Sequence, residues 1–218
     1  MTSMIANPAQ YSDTEKKIIR AFLKDVNFTS GTWADPNIEG IRSSVKQHYI
    51  AEQQYRCCYC QQELINEHGR AWDVEHVISR SQHPRLMFEP RNLAVACTEC
   101  NGNKSNVSVT RKESVRLPTA PASYLIVHPH FDRYEEHIEI EGNYTFHALT
   151  DKGSFTIHHC ELYRIRARIA RIKKPIRDRR FEQDVGNLRM AKTVDEARPV
   201  VAAILERIKI EEEAGKAQ

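Results

Sequence analysis

The sequence predicts an α+β fold, and three observations carry that prediction. Helical periodicity governs both ends of the 218-residue chain, short alternating segments fill part of its middle, and two cysteine pairs stand among short β-like pieces between them. The length suits one large domain or a small core with two wings. Hydrophobic residues at 40% and charged residues at 28% exclude the compositions of disordered and collagen-like chains. The expected divisions are a helical segment 1–54, a core 55–107, a β-rich extension 108–160 and a basic helical region 161–218.

The elements follow in order. Residues 14–26 place Ile18, Ile19, Phe22, Leu23 and Val26 at helical spacing, which predicts a surface helix. A turn-rich stretch through Trp33, Pro36 and Gly40 leads to a second helix, 41–54, with Ile41, Val45, Tyr49 and Ile50 as its buried stripe. The core then combines β-like pieces with a loop holding Pro84 and Pro90, and a helix opening near Glu99. Residues 123–158 read as β-rich, with YLIVH, HIEIE and YTFHAL separated by Gly142-Asn143 and Asp151-Lys152-Gly153 turn signals. From Glu161 a helix repeats Leu162, Ile165, Ile169, Ile172 and Ile176, with Pro175 expected to kink or end it. A last helix starts between Thr193 and Pro199 and runs through Val201, Ile204, Leu205 and Ile208 to Glu211.

A net charge of +3 says little about partners, but its distribution says more. Arg164 to Arg180 holds nine Lys or Arg residues against the single acid Asp178, which reads either as a solvated helix face or as a phosphate-tracking surface. No export signal and no apolar run of about 18 residues is found, so a cytoplasmic protein without membrane attachment is expected. In that reducing compartment six cysteines favour metal ligation over disulfides.

Cys57-x-x-Cys60 and Cys97-x-x-Cys100 are two pairs with 36 residues between them. Four thiolates close a tetrahedral structural Zn²⁺ site, each turn presenting two sulfurs from one side of the chain. The gap exceeds the common ribbon spacing of about 15 to 20 residues, which leaves room for a functional loop between the pairs. A thioredoxin-like redox reading would need only one pair, on a βαβ unit that the sequence lacks. Cys58 and Cys160 read as small buried hydrophobes.

Between and behind these pairs stand Asp73-Val74-Glu75-His76, then Arg91-Asn92-Leu93, then Asn101-Gly102-Asn103-Lys104. Phosphodiester hydrolysis needs charge stabilisation at the phosphate, a base to activate water and cations to hold the backbone, and this segment carries all three residue types. The pattern, over about residues 55–107, resembles the HNH nuclease family, as found in RNA-guided CRISPR nucleases, homing endonucleases and colicin nucleases. The resemblance implies a ββα-metal (His-Me finger) core and hydrolysis of DNA. His76 would be the general base, Glu75 and Asn101 the ligands of a catalytic Mg²⁺ or Mn²⁺, Asn92 the residue that orients His76, and Lys104 a residue that contacts phosphate or stands near the metal. Arg80 and Arg91 are further candidates for backbone contact.

The third signature position is Asn101 rather than His, making this an HNN variant. Neighbouring strand residues face opposite sides, so Glu75 and His76 serve one site only where the strand ends or bends; Asp73 is the alternate ligand. His128 and His130, alternating on an expected strand, read as structural or surface residues, as do His83, His158 and His159. The whole layout resembles the stand-alone HNH subunits of bacterial antiphage systems such as Septu or retron-associated nucleases, which implies an ATPase partner. The alternatives are a catalytically inactive zinc-binding adaptor or DNA-binding module, and a stand-alone restriction or mobile-element endonuclease.

Overall fold

A computed structural model describes residues 4–64, 71–142, 144–172 and 179–215. The chain divides into two compact units, Met1–Ala167 and Arg168–Gln218. In the first, helix α1 (Asp13–Lys24) opens on a reciprocal cap between Ser12 and Glu15 and buries Ile19. It ends earlier than the periodicity implied. The Asp25 N–H closes on the Phe22 carbonyl, and the Asp25 side chain then accepts from the Asn27 N–H at 2.8 Å. Val26 therefore lies past the helix, 95% exposed, and is no part of the core.

Helix α2 (Glu39–Glu52) buries Ile41, Val45 and Tyr49 at helical spacing, as its stripe requires, while Ile50 is only half-buried. The Tyr49 hydroxyl accepts from the Ala9 N–H at 3.0 Å and donates to the Pro90 carbonyl at 2.6 Å, tying the N-terminal segment and α2 to the centre. That centre is an antiparallel pair, β1 (Trp72–His76) and β2 (Leu93–Cys97), in register from Trp72 opposite Cys97 to His76 opposite Leu93. All of β2 is buried, and α3 (Thr98–Lys104) follows it without a linker.

The 108–160 region departs from expectation in two places. Residues 138–148 do form a hairpin, β3 (Ile138–Glu141) with β4 (Thr145–Ala148). The Tyr124–His128 segment, however, is no strand: it makes one isolated bridge, Tyr124 to Thr110, and turns at His128, whose carbonyl accepts from Phe131 at 3.1 Å. Residues expected as β beyond the hairpin are also helical, in α4 (Asp151–His159). Thr150 caps that helix through Gly153 N–H. A Cβ on Gly153 would lie 1.9 Å from the His137 carbonyl oxygen, so glycine is what lets α4 seat against the hairpin.

Helix α5 (Tyr163–Ile172) buries Ile165 and leaves Arg166 and Arg168 exposed. The expected kink at Pro175, with Lys173, Lys174, Ile176 and Arg177, lies outside the described residues. The second unit contains α6 (Arg179–Met190), which the sequence pattern did not separate, and α7 (Val194–Gly215), whose start at Thr193 the pattern did anticipate. Arg207 pairs with Asp184 at 2.6 Å across these two helices. Among the described residues no helix is long and apolar enough to cross a membrane.

Candidate active site and metal centre

The first cysteine pair sits in a tight hairpin: Cys57 N–H bonds to the Gln62 carbonyl, Gln61 N–H returns to the Cys57 carbonyl, and Gln61 takes the left-handed region at φ 55°. The second pair spans the corner where β2 becomes α3. There Cys97 is the residue capping α3, and its sulfur accepts from the Cys100 N–H at 3.3 Å. Gln53 joins the two by bonding both the N–H and the carbonyl of Val95 as well as the Arg56 carbonyl.

The result is four buried sulfurs, of Cys57, Cys60, Cys97 and Cys100, all within 4.8 Å of one another. Tetrahedral zinc at a Zn–S distance of about 2.3 Å needs sulfurs roughly 3.8 Å apart, so the set closes on an ion with little movement. Its surroundings favour thiolates. Cys97 N–H donates to Cys57 Sγ at 3.3 Å, and Arg164, at the start of α5, donates to Cys100 Sγ at 3.2 Å and approaches Cys97 Sγ at 3.9 Å. Hydrogen bonds from the neighbouring thiols overcome burial and pull Cys57 well below the usual thiol range, while bonds to Cys57, Cys60 and Cys97 push Cys100 up. Four such groups ionise together only around a cation. Cys58 and Cys160 are buried outside the quartet, Cys58 hydrogen-bonded to Cys57, and burial raises both thiols.

Along the same helix lies a cleft of about 620 Å³, whose walls include Trp33, Asp73, Glu75, His76, Arg80 and Asn101. Strand β1 ends at His76, and that ending brings both Glu75 and His76 to one cleft despite their adjacency. The His76 Nε2 lies 3.2 Å from the Met87 carbonyl oxygen. A carbonyl only accepts, so Nε2 carries the proton and Nδ1 is the lone-pair nitrogen. Burial, helped by Arg80, holds the ring down at a pKa of about 3, hence neutral.

Asn92 fixes the loop whose carbonyl orients this ring. Fully buried, it accepts from Ile78 N–H at 2.8 Å and donates to the carbonyls of Ile78 and Leu86 at 3.0 and 3.1 Å. The Val77 N–H to Asn92 carbonyl bond at 2.9 Å completes the neck of the 77–92 loop. Positions three apart on α3 then reach β1: Asn101 donates to Asp73 at 2.8 Å, and Lys104 lies 2.6 Å from Glu75 Oε1.

Of the two places expected for Lys104, at a phosphate or beside the metal ligands, the structure puts it beside Glu75. With a 1% exposed side chain it does not reach a phosphate; its ammonium is consumed by Glu75 and by the His76 carbonyl at 3.1 Å. Burial raises the Glu75 carboxyl while Lys104 and Tyr59 oppose that rise. Tyr59 donates to the same Oε1 at 2.9 Å, so Oε2 takes part in neither contact. Arg80 lines the cleft, its guanidinium donating to the Ser30 carbonyl. Arg91 does not line it; its guanidinium sits 6.0 Å over the Phe131 ring. His128 and His130 are both buried, His130 bonding to the Leu93 carbonyl at 2.7 Å, which makes them packing residues behind β2. His83, His158 and His159 lie away from the cleft lining.

Two participants escaped the sequence pattern. Trp33 packs edge-on against the His76 ring at 4.6 Å, and Tyr59 lies inside the first cysteine pair yet serves Glu75. Nothing marked Trp33 beyond its place in a polar turn, whereas an aromatic between two metal-ligand cysteines is a signal worth reading.

Residues 57–107 match the family described as HNH endonuclease, and β1, β2 and α3 supply the two strands and helix of its ββα-metal fold. Over 151 residues the chain is 26% identical to the Septu protein PtuB of Bacillus thuringiensis; the match takes in 69% of this chain and 49% of that protein. The chain thus spans about half the length of the curated relative it matches.

Proposed function

We propose that this chain, carrying an HNH endonuclease unit at residues 57–107, is a divalent-metal-dependent endonuclease that hydrolyses phosphodiester bonds of DNA. The observation that carries the reading is the tautomer of His76. Its Nε2–H is committed to the Met87 carbonyl, so the unprotonated Nδ1 is left to accept a proton from water. Burial keeps the ring neutral, so that nitrogen is unprotonated throughout the physiological range.

Asp73, Glu75 through Oε2, and the Asn101 amide oxygen form the set that would hold Mg²⁺ or Mn²⁺, a hard-oxygen set that fits such ions. When bound, the ion would neutralise charge on the phosphate being cut. Asn92 and Trp33 act by positioning, one through the 77–92 loop and the other against the imidazole face. Arg80 offers a cation at the cleft wall. The zinc set, closed by sulfur, would stay structural.

Likeness to the Septu protein PtuB supports a role in a bacterial antiphage system, in the cytoplasm and alongside an ATPase partner. Co-purification from the native host tests the partner; an intact, freely cutting chain with no ATPase attached would count against it. The chemistry is tested by nicking of supercoiled plasmid with Mg²⁺ or Mn²⁺. His76→Ala should cut about 10² to 10⁴ times more slowly, and equal cutting by both proteins would overturn the assignment. Retardation of DNA without cutting by the wild type would favour the inactive binding module.

A further inference from the structure

Beside the His76 cleft run two more hollows, of about 500 and about 530 Å³, which share Arg85, Leu86 and Val115 as walls and so form one groove. The groove abuts the cleft: Gln82 lines the first hollow and donates at 2.8 Å to the carbonyl of Asn106, which lines the cleft. They also share a structural member. The turn Pro84–Leu86 presents Arg85 and Leu86 to the groove, while the carbonyls of Leu86 and Met87 hold Asn92 and His76.

Four exposed cations stand in this groove, Lys24, Arg85, Arg91 and Arg116. Among the described residues none of them pairs with a carboxylate. The two acids in the walls are turned to backbone, Asp25 accepting from Asn27 N–H at 2.8 Å and Glu89 from Arg91 N–H at 3.4 Å. Four cations against two carboxylates leave the groove with an excess of positive charge, and a groove of that kind adjoining the His76 cleft matches a polyanion with regularly spaced charges.

We propose that this groove is the track along which the DNA backbone enters the His76 cleft, with Arg85 and Arg116 as its principal phosphate contacts. The proposal rests on the nuclease reading for its substrate. Because Arg85 belongs to the turn that orients His76, a backbone seated there also bears on the imidazole.

The test is binding of a short fluorescein-labelled duplex by the full chain carrying His76→Ala, followed by anisotropy over a salt series. Adding Arg85→Ala and Arg116→Ala should weaken binding about tenfold or more and lower the slope of log affinity against log salt by about 1.8, near 0.9 for each phosphate that is no longer neutralised. The control removes two exposed cations of α7, Arg198→Ala with Lys209→Ala, and should change affinity less than about twofold. Equal losses in both pairs would mean net charge alone attracts DNA, and unchanged affinity and slope in the groove pair would mean DNA does not lie there; either overturns the track. A thermal melt followed by circular dichroism verifies that the surface variants stay folded. Should the groove pair lose binding while the wild type never cuts, the nuclease reading fails and the groove stands; cutting by the wild type with unaltered binding by the groove pair reverses that outcome.

Discussion

The four thiols and the His76 cleft are served by the same seven-residue helix, yet one is sealed and the other open. Cys57, Cys60 and Cys100 have no exposed surface, and every donor is sulfur. Asp73 and Asn101 remain half-exposed on a cleft of about 620 Å³, with oxygen donors and one imidazole. A closed sulfur set holds an ion that shapes the chain, while an open oxygen set leaves room for water and a phosphate. Helix α3 joins them: Cys100 looks back to the sulfurs, and Asn101 and Lys104 look across to β1.

The contrast predicts different consequences of losing each ion. Stripping zinc, or replacing Cys97→Ser, should unfold the ββα unit, since structural zinc binding is worth roughly 10 to 16 kcal/mol against a whole-domain stability of about 5 to 15. Removing Mg²⁺ should leave the circular dichroism spectrum and melting temperature unchanged and stop only cutting. A zinc-free chain that melts where the loaded chain does would break the comparison.

A smaller effect sharpens it at the floor of the cleft. Lys104→Met leaves the Glu75 carboxylate buried without its cation and should cost about 3 to 5 kcal/mol in urea unfolding. Adding Glu75→Gln should recover most of that loss. If the double variant is as unstable as the single one, the pair contributes through shape rather than charge.

The smallest effect concerns the surroundings of the sulfur set. Arg164 donates to Cys100 and also holds the Cys160 carbonyl at 2.6 Å. Arg164→Ala should weaken zinc affinity about 10- to 100-fold, measured by competition with a chromophoric chelator. The thiolate-to-metal absorption of the Co²⁺-substituted protein should shift in parallel. An unchanged affinity would confine Arg164 to capping α4.

The thiol quartet was legible because two turns of fixed spacing leave few other uses for four cysteines. The grouping of His76, Asn92 and Asn101 was legible for a related reason, as residue types in a fixed chain order, and the structure sets His76 and Asn101 on one cleft with Asn92 in the adjoining loop. The buried pair of Lys104 with Glu75 was not, because it depends on the facing strand placing Glu75 opposite the lysine. Helix α4 was missed since Asp151-Lys152-Gly153 imitates a turn, and the Thr150 cap and the close seat of Gly153 on His137 decide otherwise. Tertiary packing also overrode the β-branched run at 124–128, where Tyr124, Ile126, Val127 and His128 are buried without pairing as a strand beyond Tyr124.

The Asn92 neck closes the loop that leaves β1 just after His76. Its amide grips Ile78 on one side and Leu86 on the other, so the intervening segment hangs from two pinned points like a handle from its rivets. That segment carries Arg80 of the cleft wall and Arg85 of the groove, so a change in its length or sequence would alter both at once.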